Sequence, residues 1–407
     1  MKIRSITCFL NPSWPLEAQT LRRAADFIAA AAPAFEAAGY EVQTCRLATP
    51  SFARLLSGAE ARQVVEFAVA LERAAQEVGY NYVSLGPALP EMPASYLVIP
   101  QVIAATRSTF LAGMLTTPSG GISLSAARSC AEVIERVARI ESNGFANLRF
   151  AALANVSPGA PFFPAAYHNE CMGIAFALAT EAADLAVEAF SGASSLEQAR
   201  QALVMAVENH AAELAAVADG LSTRFDIHFG GVDFTLAPFP QESLSIGAAL
   251  ERLGLPAVGR YGSLAAAAIL TDTLDRAEFR RAGFNGLMLP VLEDFTLAQR
   301  AAQGVLSVKD LLLYSAVCGT GLDTVPLPGD TSAGEIYPVL LDLAALSQRL
   351  DKPLTARLMP IPGKKAGDPT DFDFSYFANS RVLSLDSELL SGLLAGAEVL
   401  TLQPRLR

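Results

Sequence analysis

The stretch Arg4-Ser5-Ile6-Thr7-Cys8-Phe9-Leu10 opens the chain as a short apolar run that the Asn11-Pro12 pair stops at once. An Ala-rich stretch of helical period follows from Leu16 to Ala38 and ends at Gly39, and Tyr40 to Arg46 reads as a second strand. Helical spacing returns from about Ala59 to Val78, ends at Gly79, and gives way to Tyr80-Asn81-Tyr82-Val83-Ser84-Leu85-Gly86, a third strand. Strand, helix, strand, helix, strand is the order of a mostly parallel sheet, because parallel neighbours need a crossover and a helix is the usual one. The fold class is therefore α/β. Further strands are expected at Arg149 to Ala154, Asp226 to Leu236, Phe284 to Leu289 and Pro353 to Leu358, and two long helical arms at Glu170 to Phe190 and Leu196 to Ala218.

With 407 residues, 52% of them hydrophobic and 17% charged, the chain has ample material for a large core, which excludes a disordered or fibrous protein. No linker, charge block or fixed-period repeat divides it, so residues 1–407 are read as one domain. The net charge of -11 opposes phosphodiester backbones and anionic lipid, and nucleic acid and membrane are not expected as partners. The N-terminal apolar run is too short for a secretory signal, and no window is long and apolar enough for a membrane span, so a cytoplasmic protein is expected. Five scattered cysteines without CxxC spacing argue against a disulfide framework or a structural zinc site. Abundant apolar helix surface suggests a homo-oligomer, a dimer by base rate.

Four segments carry candidate chemistry. Val317-Cys318-Gly319-Thr320-Gly321-Leu322-Asp323 through Ser332 lies between a helix-period run (Leu306 to Val317) and a helix starting near Ser332. It reads as a binding loop: two glycines allow close backbone approach, with Thr320, Asp323 and Asp330 around them. The plain alternative is turn and capping chemistry. GxGxxG and Walker patterns are incomplete here, and nucleotide binding by either is rejected. Cys318 at the loop edge is a candidate nucleophile, or a buried thiol at a helix end. Ser157 to Cys171, with three prolines and two phenylalanines, forms a stiff apolar wall delivering His168 and Glu170 at a helix start, where His168 is a candidate base. Asp226-Ile227-His228-Phe229-Gly230-Gly231-Val232-Asp233 is strand-like with a glycine pair, and a metal site from these scattered donors is unproven. Thr355 to Asp368 is basic within an acidic protein and suits an anion site, with Arg357 ahead of Lys364 and Lys365. His210 reads as a surface or packing residue on a helix.

Taken in order, Ile3 to Thr7, Cys45-Arg46-Leu47-Ala48-Thr49-Pro50, Pro161-Phe162-Phe163-Pro164-Ala165-Ala166-Tyr167-His168, Cys318 to Pro326 and Pro360 to Asp368 resemble an uncharacterised prokaryotic family, the domain of unknown function numbered seven hundred and eleven. The likeness runs from Lys2 to about Arg381. That family is similar in fold to pyruvate formate-lyase and other glycyl radical enzymes, which implies a ten-stranded α/β barrel with a loop inserted at its centre. By that likeness the loop around Cys318 would lie inside the barrel, with His168 and Arg357 at its mouth. The radical glycine pattern is missing: Arg381-Val382-Leu383-Ser384 has Ser at the Gly position. Radical chemistry is therefore not carried over.

The resulting expectation is an enzyme acting on a small anionic metabolite by acid/base or thiol chemistry. His168 would be the base, Cys318 the nucleophile or acid, Asp323 and Glu170 polar partners, and Arg357 and Lys364 the anion holders. The alternatives are a non-catalytic metabolite sensor and a metal-assisted hydrolase using His168, His228 and Asp233. The sequence leaves the cofactor and any metal open.

Overall fold

The computed structural model describes residues 1–404. In chain order the elements are β1 (Lys2–Phe9), α1 (Ala18–Ala37), β2 (Cys45–Ala48), α2 (Phe52–Leu55), α3 (Ala61–Glu77), β3 (Tyr82–Ala88), α4 (Ala94–Ala105), β4 (Thr109–Met114), β5 (Ile122–Ser123) and α5 (Leu124–Ala138). There follow β6 (Phe150–Ala154), β7 (Ala175–Glu181), α6 (Ala183–Ser191), α7 (Leu196–Phe225), β8 (His228–Ala237), α8 (Ile246–Arg252), α9 (Ser263–Asp275), α10 (Phe295–Ala302) and α11 (Val308–Tyr314). The last are β9 (Gly321–Pro328), α12 (Ala333–Leu350), β10 (Leu354–Ile361) and β11 (Val399–Leu400), the final strand pairing only with β5. Among the described residues no helix is long and apolar enough to cross a membrane.

Nine strands form one sheet in the order β8-β7-β1-β2-β3-β4-β6-β10-β9. β1, β2, β3, β4 and β6 run parallel, each reached through helical crossovers, as the opening strand-helix alternation requires. β7 joins β1 antiparallel and carries β8 parallel to itself; β10 joins β6 antiparallel and carries β9 parallel. One end of the sheet is therefore where β1 to β4 and β6 begin and where β7 to β10 end.

Both faces of this sheet are buried. Ile6, Cys8, Leu47, Val83, Leu111 and Phe176 point to the helices and join the main core. Their strand neighbours Phe9, Ala48, Phe110, Ala175 and Ala177 point the other way, onto Phe163 and Ala166 of the β6–β7 connection. That connection also packs Ala165 against Ala112, Ala151 and Leu153. The Thr7 hydroxyl donates to the Pro161 carbonyl and Ser84 to that of Ala166, at 3.2 and 2.6 Å. A single segment touching β1 to β4, β6 and β7 requires the sheet to curl around it. Small residues on the inner face leave it room.

The ladder counts nine strands where ten were expected, and no continuous pairing closes it. Phe284 to Leu289, expected as a strand, is irregular; the segment makes single bridges from Arg281 to Val232 of β8 and from Pro290 to Asp323 of β9. Gly283 and Asn285, with φ of 76° and 46°, break its extension. Two further expectations fail. Glu170 to Phe190 is not one helix: Ala175–Glu181 is strand β7 and only Ala183–Ser191 is helical. The expected binding loop after Cys318 is mostly strand β9, buried through Leu327.

Candidate functional site

Charged residues inside a buried sheet mark the site. Arg4 on β1 donates to Glu181 at the end of β7 (3.4 Å), to the Pro238 carbonyl (3.2 Å) and to Glu293. Arg357 on β10 donates through Nε and Nη2 to the two oxygens of Asp323 on β9, and through Nη2 to Glu293 at 2.8 Å. Burial disfavours charge on Arg357, but the carboxylates of Asp323 and Glu293 outweigh it and hold its pKa above the ordinary value. The strand geometry that aims Asp323 is irregular. Ala356 pairs with Leu322 and Leu358 with Val325, so Asp323 and Thr324 both lie opposite Arg357, a β-bulge. Thr324 adopts φ of 41°, a costly conformation for a β-branched residue.

Of these groups Arg4, Glu293 and Arg357 line a cavity, partly open to solvent, at the end of the sheet where β1 to β4 begin; Glu181 and Asp323 are bonded to them without lining it. Arg46 of β2 also lines it and is bonded differently. Its Nε donates to the Thr44 hydroxyl at 2.9 Å, and its guanidinium lies 5.7 Å from the Tyr82 ring centre and 5.2 Å from that of Phe163. Among the described residues it has no carboxylate within 4.0 Å. Burial and the neighbouring Arg4 charge press its pKa down to about 10, which leaves it a cation at neutral pH.

Beside it, Gln43 donates its amide to Glu181 at 2.8 Å, while its Oε1 is buried without a partner among the described residues. Burial pushes the Glu181 carboxyl up, against Arg4 and Gln43, which pull it down. Asp233 on β8 also lines the cavity. Thr235 and the amides of Phe284 and Asn285 donate to it, the latter two at 3.0 Å. Burial raises its pKa and these donors oppose the rise. Phe110, Phe162 and Phe163 form an apolar wall, with Phe374 and Tyr376 from the segment after β10.

Of the residues named from the sequence, Arg357 and Asp233 line this cavity, and Asp323 is bonded to Arg357 beside it. Cys318 is wholly buried and lines none of the cavities described; its carbonyl accepts from Lys352 Nζ. Thr320 is buried and its carbonyl accepts from Thr355 N and Oγ1 at 2.7 and 2.9 Å, holding β9 to β10. Gly319 is required by contact, since a Cβ there would lie 2.5 Å from Gly286 Cα. Asp330 is exposed in the turn before α12. Lys364, 3.6 Å from Asp371, and exposed Lys365 occupy the turn after β10, and neither lines the cavity.

His168 lies at the opposite end of the strands. β2 starts in the ionic cavity with Arg46, and past its far end the Thr49 carbonyl accepts from His168 N at 2.9 Å. The His168 ring is stacked near Phe9 and its Nε2 is 3.1 Å from the Met172 carbonyl. Burial lowers its pKa, with that carbonyl opposing. It begins no helix, the sequence there being a loop. Glu170 is exposed 3.6 Å from Arg54, in a cleft shared with His168 and Cys171. His228 and His168 line a neighbouring cleft without Asp233. Among the described residues no group of three or more His, Cys, Asp or Glu could hold a metal ion. His210 packs against Tyr40, whose hydroxyl is 2.8 Å from Nδ1.

Arg4, Gln43, Arg46, Glu181 and Glu293 were missed from the sequence. The available signal was Arg4 and Arg46 inside stretches read as strands of a mostly parallel sheet, the kind buried on both faces.

Comparison with known proteins gives relatives without assigned activities. A UPF0210 protein of Pyrobaculum aerophilum is 32% identical over 354 residues, covering 83% of this chain and 78% of that one. A UPF0210 protein of Acetivibrio thermocellus is 28% identical over 352 residues, covering 82% and 77%, and one of Oenococcus oeni 27% identical over 352 residues, covering 82% and 77%. The family model described as Uncharacterised ACR (DUF711) matches residues 1–379, a span that contains every residue of the ionic cavity named above, and the chain belongs to that family.

Proposed function

We propose that the protein is an enzyme that binds a small organic anion in the cavity between Arg4, Arg46 and Arg357 and acts on it by acid/base chemistry. The observation that carries this reading is Arg46: a sheltered guanidinium facing a cavity, flanked by two aromatic rings, with no carboxylate to neutralise it. A buried cation without a counter-ion is costly, and a ligand carboxylate would remove that cost while accepting a bidentate pair. Glu181 is the proton acceptor in this scheme. Bonded through Oε2 to the cavity residues Arg4 and Gln43, it keeps Oε1 free of hydrogen bonds among the described residues, and burial raises its pKa, which favours proton uptake.

As the architecture we propose an incompletely closed barrel of the glycyl-radical-enzyme type. The sheet curls around the β6–β7 segment, and residues 281–290 bridge toward both of its edge strands. In this barrel the inserted segment is the one bearing Phe163, in place of the one bearing Cys318.

The second reading is a non-catalytic sensor. It is favoured by the saturation of Asp323, Glu293 and Asp233, whose oxygens already accept from Arg4, Arg357 or backbone amides. Calorimetric titration with a panel of small mono- and dicarboxylates, on wild type and Arg46→Met, tests binding at this site. NMR of the bound compound in D2O then separates the readings: exchange of a carbon-bound proton that Glu181→Gln abolishes supports the enzyme, and binding without exchange or conversion supports the sensor. An anion that binds Arg46→Met as tightly as wild type would sink the proposed site.

A further inference from the structure

We propose that the ligand of this cavity is an α-amino acid in its zwitterionic form, with an apolar or aromatic side chain; this rests on the anion-site reading above and narrows it. Two polar groups at the cavity lack protein partners, and they are of opposite kind. Arg46 has its terminal N–H groups free of hydrogen bonds among the described residues and calls for acceptors. Gln43 Oε1 is a buried acceptor without a donor and calls for an N–H or O–H. A simple carboxylate would satisfy the first and leave the second unpaired, at the usual cost of a buried unmet acceptor. A ligand carrying both a carboxylate and a donor next to it satisfies both.

Charge selects which donor. Gln43 is bonded to the Glu181 carboxylate, so a cationic donor beside it is favoured over a neutral one. A zwitterion adds no net charge and sets its ammonium beside Gln43, whose amide already touches Glu181. Phe110, Phe162, Phe163, Phe374 and Met288 give the cavity an apolar wall that suits an apolar side chain.

The test is calorimetric titration of the full chain at pH 7 with phenylalanine and leucine and, for each, its 2-hydroxy, des-amino and decarboxylated analogues. The amino acid of at least one series should bind about tenfold or more tighter than its des-amino acid, with no detectable binding of the amine. Gln43→Met should remove most of that preference. The wild-type series decides the class whatever the stability of the variant. A des-amino acid that binds as tightly as the amino acid overturns the zwitterion while the anion site stands, and so does a hydroxy acid that binds tighter. Failure of every carboxylate in both series overturns the inference, and failure of the wider carboxylate panel as well removes the anion site beneath it.

Discussion

The guanidinium of Arg46, on the second strand, lies 5.2 Å from the ring centre of Phe163, carried by the segment that joins β6 to β7. Phe163 in turn meets Phe110 edge-on at 5.4 Å. The cation is thus held by the faces of aromatic rings and one threonine hydroxyl, contacts that position it without spending its charge on a carboxylate.

Replacing Arg46 by Met should abolish carboxylate binding while leaving the melting temperature no lower than that of wild type, because an unbranched apolar side chain ends the cost of burying an uncompensated charge. Calorimetry and a thermal melt on the same sample check both halves. A large fall in melting temperature would show that Arg46 is a structural residue.

The Arg357–Asp323 pair should behave in the opposite way. Arg357→Met strands the buried Asp323 carboxylate and leaves Glu293 with Arg4 alone, and should cost about 3–5 kcal/mol in urea denaturation. Adding Asp323→Leu should recover part of that loss, since it removes the stranded charge. Additive costs in the double variant would contradict the pairing.

His168 makes a prediction about acid. Its folded pKa is lowered by burial, so as pH falls below about 6.5 the unfolded chain takes up the proton first and stability drops. Above that value the contribution is fully present. Urea midpoints at pH 7.5 and 5.5 should show a smaller decrease in His168→Asn than in wild type.

Thiol reactivity should follow exposure. Cys171 is exposed, Cys45 is partly exposed, and Cys8, Cys130 and Cys318 are buried. Burial raises the Cys45 pKa to about 11. An aromatic disulfide reagent at pH 8 should therefore modify one thiol quickly, and Cys171→Ser should remove that phase. Fast labelling of Cys318 would restore it as a candidate nucleophile.

Gly319→Ala should destabilise the fold by about 1–3 kcal/mol, because the added methyl meets the Gly286 backbone, while affinity for carboxylates in the folded fraction stays unchanged. A stable variant with weakened binding would return the Gly319 region to the site.

What the sequence disclosed and what it hid have a common cause. β1, β2, β3, α1 and α3 were legible because each helix shows one apolar stripe and a glycine stop. Ala175–Glu181 was read as helix because a strand buried on both faces loses its alternation, and Ala-Phe-Ala-Leu-Ala carries the helical spacing by accident. β9 was hidden by Pro326 and Pro328, which a strand tolerates here because it lies at the edge of the ladder. Asp323 and Arg357 were found as isolated polar residues. Their partners Arg4, Glu181 and Glu293 are 353, 176 and 64 positions from Arg357 and meet it or one another only through the sheet order.

The segment between β6 and β7 occupies the hollow of its own sheet, so the room left for a ligand depends on how far one connection reaches in. A shorter turn at Phe162-Phe163 would widen the chamber and a bulkier one would seal it, with no strand needing to move. Chamber size is in this sense a dial separate from the scaffold, and relatives built on the same strands could admit molecules of different size by altering a handful of consecutive residues.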